Sequence, residues 1–391
     1  MKQSYKSETK VLLRRNLSRQ VKQGHPWIYR DAIARVDGAS GQACEQVQVL
    51  DPKGKALAWA IFDPKGSLAL RVLSLNKKFN EAELYRRMNS AKSLRQHLQA
   101  SKNSCYRAIN GEGDLLPGLV LDVYNHCGVL QFDGSACQEF WQQFDLENII
   151  TVFELDALYE KPRGRTESSG VWIKESSVPK ELVQVKENDL NFKVDIVHGQ
   201  KTGFFLDQRN NRDYVKGISK GKKVLNLFSY TGGFSVAAGV GGATHVASVD
   251  ISPKALSLAE ANWKLNELPD VHKVVQSDVH EYLKKSTDQW DLIVVDPPTM
   301  ARSEGEKPAG IAKYQKIFVE ALRLAQQGTH LCFSSCSSHV SMEDFLQIIK
   351  ESLSEAKKTG LILRVSGQGE DHPVPSGLLE MRYLKFVHLI V

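Results

Sequence analysis

A glycine turn and an acidic residue follow two short apolar runs in the second half of this 391-residue chain. In the turn, Ser229–Ser235, Gly232 and Gly233 let the backbone come close to a ligand at the start of a helix. Asp250 stands 18 positions after Gly232, where a carboxylate can bind both hydroxyls of a ribose. These residues predict a site for a cofactor that contains a nucleoside.

Two further acidic residues end the next two apolar runs. Asp278 is placed to bind the amino group of an adenine, and Asp296 opens the sequence Asp296-Pro297-Pro298. The two prolines fix the backbone, so that the carboxylate and its neighbouring carbonyl face a reacting base. The G-x-G-x-x-G spacing of nicotinamide-binding proteins is absent. The series therefore favours an S-adenosylmethionine-dependent methyltransferase over a dehydrogenase.

A cysteine lies in the polar loop that follows the fifth apolar run. Cys336 is flanked by serines in Ser334–Ser338, whereas Cys332 lies within the apolar run itself. Carbon 5 of a pyrimidine is too weak a nucleophile to attack a methyl sulfonium, but addition of a thiolate to carbon 6 makes it enolate-like. A protonated carboxyl at Asp296, bonded to N3 of a cytosine, would stabilise that adduct. The loop therefore predicts a cysteine nucleophile.

Two other functions remain open on this evidence. A guanine or adenine N-methyltransferase would leave Cys336 idle, but Thr299 occupies the position where such enzymes usually carry a stacking aromatic residue. Tyr314 is a candidate to contact the base from elsewhere in the chain. A non-catalytic RNA-binding assembly factor is the third reading, and binding of the cofactor separates it from the two enzymes.

The elements that must position these residues alternate between strands and helices from about residue 190. Ser252 with Pro253 is a helix-start signal, and Ser341 with Asp344 has the pattern of a capping box. Alternating strands and helices predict a mostly parallel sheet with ligands beyond the carboxyl ends of its strands. The predicted strands are Val224–Phe228, Val246–Val249, Val274–Gln276, Leu292–Val295 and Leu331–Ser334.

The first half of the chain has a different pattern. Short apolar runs separated by Asp-Pro-Lys-Gly turns predict a small β-barrel up to about residue 75, with strands Val47–Leu50, Leu57–Phe62 and Leu68–Leu73. Helical spacing of apolar residues predicts a helix over Asn80–Gln99. The polar stretch Glu160–Gly170 is the candidate for a flexible loop before the last domain.

Charge and composition indicate the class of partner. The net charge is +6, and the first thirty residues hold one acid, Glu8, against a set of basic residues that would favour contact with phosphates. No apolar run is long enough to span a bilayer, no secretory signal is visible, and the cysteines lack metal-ligand spacing. These features predict a cytoplasmic protein without a metal. The basic residues are Lys2, Lys6, Lys10, Arg14, Arg15, Arg19, Lys22 and Arg30.

Several longer motifs resemble one family, the bacterial PUA-domain cytosine-5 methyltransferases that act on large-subunit ribosomal RNA. The similarity is collinear over nearly the whole chain, and its last two motifs are long and specific. The matching segments are Gly24–Tyr29, Gly111–Asp114, Leu116–Leu119, His198–Arg209 and Asn226–Phe234.

This resemblance implies a PUA-like RNA-binding domain over 1–75, a small central α+β domain over 76–185 and a Rossmann-like methyltransferase domain over 186–391. It implies S-adenosylmethionine as donor, a cytosine of 23S rRNA as acceptor and Cys336 as nucleophile, in a protein that we expect to form a homodimer. Further residues expected at the cofactor are Gln208, Arg209, Asn226, Phe228 and Ser229, and those expected at the RNA are Arg14, Arg15, His25 and Arg30.

Overall fold

The computed structural model describes residues 8–38, 45–100, 103–163, 170–175 and 182–391, without the side chains of 99 and 100. Its residues form two compact units. The first contains residues 1–183, 194–204 and 370–381, and the second contains 184–193, 205–369 and 382–391. No helix in the described part of the chain is long and apolar enough to cross a membrane.

The first unit begins with a six-stranded sheet in the order β2-β6-β5-β4-β1-β3. The strand–turn pattern of the sequence places these strands within a residue or two of their observed ends. The alternating apolar residues of β4, such as Val47 and Val49, lie fully buried in its core. Its elements are β1 (Lys10–Leu13), α1 (Ser18–Lys22), β2 (Trp27–Tyr29), β3 (Ile33–Asp37), β4 (Gln46–Leu50), β5 (Ala56–Phe62) and β6 (Leu68–Ser74).

The central part of the first unit packs helices on a five-stranded sheet, in the order β11-β10-β9-β8-β7. The predicted helix starts where expected, with Asn80 as its cap, but it breaks at Arg95, whose buried side chain pairs with Asp114. The elements are α2 (Glu81–Leu94), α3 (Gln96–Ala100), β7 (Cys105–Asn110), β8 (Leu119–Tyr124), β9 (Cys127–Phe132), α4 (Ser135–Trp141), α5 (Glu147–Phe153), β10 (Ala157–Glu160) and β11 (Val171–Lys174).

The stretch predicted to be a flexible loop before the last domain has a different place. Glu160 ends β10 and Gly170 precedes β11, and these two strands pair in antiparallel fashion. The stretch therefore joins neighbouring strands of the central sheet rather than two domains. Its middle, residues 164–169, lies outside the described residues.

Two later segments of the chain pack with the first unit, so its limits differ from the predicted boundaries. They are residues 194–204 and 370–381. In the second segment, Asp371 accepts hydrogen bonds from Arg95 and from the backbone N–H of Arg107. Between the N-terminal sheets and the second unit runs the hairpin of β12 (Leu182–Glu187) and β13 (Leu190–Asp195).

The second unit is built on a seven-stranded sheet in the order β16-β15-β14-β17-β18-β20-β19. Its first five strands pair in parallel, and β20 is antiparallel to both its neighbours. The elements are α6 (Arg209–Ile218), β14 (Lys223–Leu227), α7 (Gly233–Val240), β15 (His245–Asp250), α8 (Pro253–Leu265), β16 (His272–Gln276), α9 (Val279–Lys285), β17 (Leu292–Val295), α10 (Lys307–Arg323), β18 (His330–Ser335), α11 (Met342–Glu355), β19 (Leu361–Ser366) and β20 (Lys385–Ile390).

Successive residues of the central strands face opposite sides of this sheet, and helices cover both. Val224 of β14 joins a core cluster with Trp263 of α8, whereas its neighbour Leu225 joins another with Phe318 of α10. Both predicted helix starts are confirmed, since Ser252 caps α8 and Ser341 forms a capping box at α11. The mostly parallel sheet predicted from the sequence is thus observed.

A buried ion pair ties the hairpin to helix α6 within the second unit. The guanidinium of Arg212 donates from Nε and Nη2 to the two carboxylate oxygens of Glu187, at 2.7 and 2.6 Å. The side chains are only 3% and 0% exposed. Loss of one partner would leave an uncompensated charge in the core.

We therefore expect Arg212→Met to lower the free energy of unfolding by about 3–5 kcal/mol, measured by urea denaturation. The control is Lys285→Ala, which removes an exposed pair with Glu281 in the same unit and should cost less than about 1 kcal/mol. Equal, small effects of both substitutions would contradict a stabilising role for the buried pair.

Candidate functional site

The residues predicted to do chemistry meet at one edge of the seven-stranded sheet. Because β14, β15, β16, β17 and β18 run in parallel, their carboxyl ends lie on the same side. Ser229 follows β14, Asp250 ends β15, Asp278 follows β16, Asp296 follows β17 and Cys336 follows β18. The structure thus brings these five residues to one edge, as the sequence predicted.

The loop after β14 has a strained backbone. Phe228 and Tyr230 have φ angles of 57° and 47°, which non-glycine residues seldom adopt. Gly232 has φ 79°, and a Cβ placed there would lie 2.8 Å from the Cβ of Ala259 in α8. The loop therefore approaches α8 as closely as glycine allows. Such strain at a strand end is typical of a ligand-binding loop.

Asp250 is held by the same loop. One of its oxygens accepts the backbone N–H of Tyr230 at 2.8 Å and the other accepts that of Ser252 at 2.9 Å. Each carboxylate oxygen can accept a second hydrogen bond, so the group can still bind ribose hydroxyls. Asp278 is exposed and caps α9 through Glu281, and its predicted contact with adenine stays a prediction.

A chain of hydrogen bonds fixes the orientation of the Asn226 amide. Its Nδ2 donates to Ser235 at 2.9 Å, Ser235 contacts Ser248 at 2.6 Å, and Ser248 contacts Nε2 of His272 at 2.8 Å. Burial and the neighbouring His245 lower the pKa of His272 to about 4. A neutral imidazole nitrogen accepts the last hydrogen bond, so each hydroxyl donates away from Asn226.

Buried polar atoms without a partner then point to a ligand at this loop. Oδ1 of Asn226 and the hydroxyl of Ser229 are both buried and have no hydrogen-bond partner. Such atoms cost free energy unless a ligand or water satisfies them. An acceptor at Asn226 and a hydroxyl at Ser229 suit the amino and hydroxyl groups of a nucleoside-containing cofactor.

Asp296 is oriented by a residue predicted to touch the cofactor. The side-chain amide of Gln208 donates to Asp296 at 3.0 Å and to Ser334 at 2.8 Å, and its own oxygen accepts from Asn211 at 2.6 Å. Gln208 is therefore buried with its amide fixed on both sides. Its neighbour Arg209 is also buried, at 1% exposed.

The cysteine loop is joined to the loop after β17 by one hydroxyl. Ser337 accepts the backbone N–H groups of Met300 and Ala301 at 3.0 and 3.3 Å, and it shares a hydrogen bond of 2.8 Å with Tyr314. Ser337 is fully buried, whereas the intervening Cys336 is only partly buried. The thiol therefore faces the edge of the sheet while its neighbours anchor the loop.

Two groups lie against this loop. Thr299 places its hydroxyl 3.2 Å from the Cys336 sulfur. Tyr314, predicted to contact the base, instead lies fully buried with its hydroxyl bonded to Ser335 and Ser337. That prediction is corrected, because a side chain without exposed surface cannot stack on a base. Tyr314 supports the cysteine loop from beneath.

Cys336 differs from the other described cysteines, which are free and buried. Burial raises the pKa of Cys332 well above its usual range, which keeps that thiol protonated. The prediction of reduced core cysteines is thus confirmed for the described residues at positions 105, 127, 137 and 332. Cys44 lies outside the described residues.

The residues predicted to contact RNA lie in the first unit. Arg14 and Arg15 are exposed, and Arg15 pairs with Asp31 at the surface. Arg30 instead donates to the backbone oxygens of Gly66 and Asp63, so it is a structural part of the sheet rather than a free phosphate contact. His25 accepts the backbone N–H of Trp27 at 3.3 Å. Lys2 and Lys6 lie outside the described residues.

Three supporting residues were not found from the sequence: Ser337, His272 and Lys385. Each acts through partners distant in the chain, and no local spacing marks them. The only available signal was a lysine at the start of the apolar run Lys385–Ile390, an unusual residue for a buried strand.

Comparisons with known proteins agree with this geometry. Residues 154–370 match the family model of S-adenosylmethionine-dependent methyltransferases, and residues 11–75 match that of PUA-like domains. A Deinococcus radiodurans protein named ribosomal RNA large subunit methyltransferase is 35% identical over 94% of both chains. A Photobacterium profundum protein named ribosomal RNA large subunit methyltransferase I is 32% identical over 96% of this chain and 98% of its own.

Solved structures show the same fold. One of a proposed S-adenosylmethionine-dependent methyltransferase from Streptococcus mutans has a TM-score of 0.85 and 24% identity, and it covers 98% of this chain and 100% of its own. Another proposed methyltransferase, with the same TM-score, is complexed with S-adenosylhomocysteine. The PUA-like domain, the methyltransferase fold and the cofactor predicted from the sequence are confirmed.

The close approach at Gly232 makes it a test of the cofactor loop. We expect Gly232→Ala to raise the Kd for S-adenosylhomocysteine at least about tenfold, measured by calorimetry, because a Cβ adds backbone strain and collides with Ala259. Gly217→Ala in α6 is the control, since no atom lies within 4 Å of its added Cβ. Unchanged affinity in Gly232→Ala would remove this loop from the cofactor site.

Proposed function

The chain belongs to the family of S-adenosylmethionine-dependent methyltransferases with an N-terminal PUA-like domain, and from this premise we propose that it methylates carbon 5 of a cytosine in large-subunit ribosomal RNA. The rRNA acceptor is supported by the names of the relatives from Deinococcus and Photobacterium. The choice of carbon 5 depends on one observation. A partly buried thiol, Cys336, stands at the same sheet edge as Asp296.

The reaction assigns each group a defined role. The bound cofactor supplies an electrophilic methyl group. The thiolate of Cys336 forms a bond to carbon 6 of the cytosine, and the electron pair of the C5–C6 double bond makes carbon 5 nucleophilic. After carbon 5 takes the methyl group, a base removes its proton, the sulfur–carbon bond breaks and the double bond returns. Thr299 is close enough to hold the thiol in place.

Asp296 supports the adduct from the other side of the base. In its protonated form the carboxyl can donate to N3 of the cytosine and stabilise the charge that builds up there. Gln208 fixes one carboxylate oxygen at 3.0 Å, which leaves the other to meet the substrate. The prolines that follow limit the movement of this group.

The remaining parts of the chain take the roles expected from the family. We assign RNA binding to residues 1–75, with Arg14, Arg15 and His25 as candidate contacts, and we assign methyl transfer to residues 186–391. The central residues 76–185 would hold the target strand. A flipped or unpaired cytosine is required, because carbon 5 must reach the sheet edge. A homodimer and a cytoplasmic location stay predictions of the sequence.

The direct test incubates the protein with labelled S-adenosylmethionine and unmodified large-subunit rRNA, followed by mass spectrometry of the nucleosides. 5-Methylcytidine is the expected product. A methylated guanine or adenine would contradict the proposed chemistry and favour an N-methyltransferase. Binding of the cofactor without any transfer to rRNA or its assembly particles would favour an assembly factor.

The nucleophile has its own test. We expect Cys336→Ala to lose at least about a thousandfold in turnover while S-adenosylhomocysteine still binds. RNA with 5-fluorocytidine at the target should form a covalent complex with the wild type, because fluorine blocks proton removal and leaves the sulfur–carbon bond intact. Cys332→Ala is the control and should retain both properties. Methyl transfer by Cys336→Ala at the wild-type rate would refute the assignment.

The basic surface of the N-terminal sheet gives the last prediction here. Because Arg14 and Arg15 are exposed, we expect their double substitution by alanine to weaken RNA binding. The plot of log affinity against log salt should become shallower by about two. Arg86→Ala, on the exposed face of α2, is the control and should leave the slope unchanged. An unaltered slope in the double variant would exclude these two residues from the phosphate contacts.

A further inference from the structure

Lys385 is a buried lysine beside the cysteine loop. It is the first residue of β20 and pairs in register with Ser335, the residue before Cys336. Its exposure is only 2%, among the lowest of any charged residue in the described part of the chain. The rest of its strand is mostly apolar and fully buried. A lysine at this position is costly to bury, so its contacts need an explanation.

The contacts of the ammonium are with the site loop. Nζ donates to the backbone oxygen of Ser337 at 2.5 Å and to that of Tyr383 at 2.7 Å. Among the described residues, no carboxylate forms an ion pair with Lys385, and the acid nearest in effect, Asp344, is already paired with Lys307 at 2.9 Å. The ammonium therefore lacks a dedicated counter-ion. Backbone carbonyls alone offset only part of its desolvation.

Cys336 is the group that can supply the missing charge. Burial lowers the pKa of Lys385 to about 8, and Cys336 and Asp344 act in the opposite direction. The other titratable group against the loop, Tyr314, has its pKa raised to about 12 by burial and by Cys336, so it stays neutral. Thr299 is neutral as well. Lys385 is thus the cation that the described contacts place at this loop.

We propose that Lys385 stabilises the thiolate form of Cys336. The inference rests on the proposed function, in which that thiolate is the nucleophile. Lys385 would be a positioning residue that acts through Cys336 and does not touch the substrate. When the thiol ionises, its proton leaves to solvent or to the neutral amine, and the resulting ammonium faces the thiolate. The pair is then electrically neutral within the core, which accounts for a buried lysine without a carboxylate.

A purely structural role is the competing explanation. The hydrogen bonds to Ser337 and Tyr383 would hold the loop in place whether or not the thiol ionises. Removal of the lysine would then disturb the loop but leave the pH dependence of the thiol unchanged. The two explanations differ in the reactivity of Cys336 toward an alkylating agent, which follows its thiolate fraction.

The experiment measures alkylation of Cys336 by iodoacetamide from pH 5.5 to 9.5, with peptide mass spectrometry to separate it from the other cysteines. We expect Lys385→Met to slow alkylation at pH 7 about tenfold and to move the midpoint to higher pH. Lys285→Met, which removes an exposed lysine of the same unit, is the control and should match the wild type. The same profile in Lys385→Met as in the wild type would overturn the proposal.

The wild-type protein alone gives a second test, in case Lys385→Met does not fold. Its Cys336 should reach half-maximal reactivity well below pH ~8.5, the value of an ordinary cysteine. A midpoint at or above that value would overturn the proposal without any variant. Because alkylation involves no methyl transfer, a low midpoint together with an active Cys336→Ala variant would refute the nucleophile and leave the lysine–cysteine pair standing.

Discussion

The site depends on the buried hydroxyl of Ser337, which joins the loops that follow two neighbouring strands. It accepts two backbone N–H groups from the loop after β17 and shares a hydrogen bond with Tyr314 of α10. If this hydroxyl were lost, those donors would be buried without partners, at about 1–3 kcal/mol each. A single side chain thus sets the distance between the Asp-Pro-Pro loop and the cysteine loop. Its contacts also explain why Cys336 can remain partly exposed in a core that is otherwise closed.

Two side-chain amides extend this order to the rest of the sheet edge. Gln208 can place its N–H groups on Asp296 and Ser334 because Asn211 occupies its oxygen. Asn226 directs its nitrogen to Ser235, which leaves its oxygen for a ligand. In both cases a neighbour decides which way the amide points, since the two ends of an amide differ only in donor and acceptor. The recognition chemistry therefore lies partly in residues that never meet a ligand.

Much of this arrangement could be predicted from the sequence because its causes are local. Apolar runs and caps such as Ser252 gave the strands and helix starts, and strand order in a parallel fold brought Asp250, Asp296 and Cys336 together. The partners of Tyr314 and Arg30 could not be predicted, because an exposed and a buried tyrosine look alike in one sequence. Likewise, no spacing indicates that 370–381, between two strands of the second unit, packs with the first.

The direction of β20 explains how a residue near the end of the chain reaches the site. In the parallel part of the sheet, only the last residues of each strand lie at the carboxyl edge, and a strand's first residues lie at the opposite edge. β20 runs the other way, so its first residue, Lys385, lies beside the last residues of β18. An antiparallel strand can therefore add a side chain at the ligand edge without a loop of its own. Held within a ladder rather than on a loop, Lys385 has a fixed position relative to Ser335, and the adjoining cysteine inherits that fixed distance.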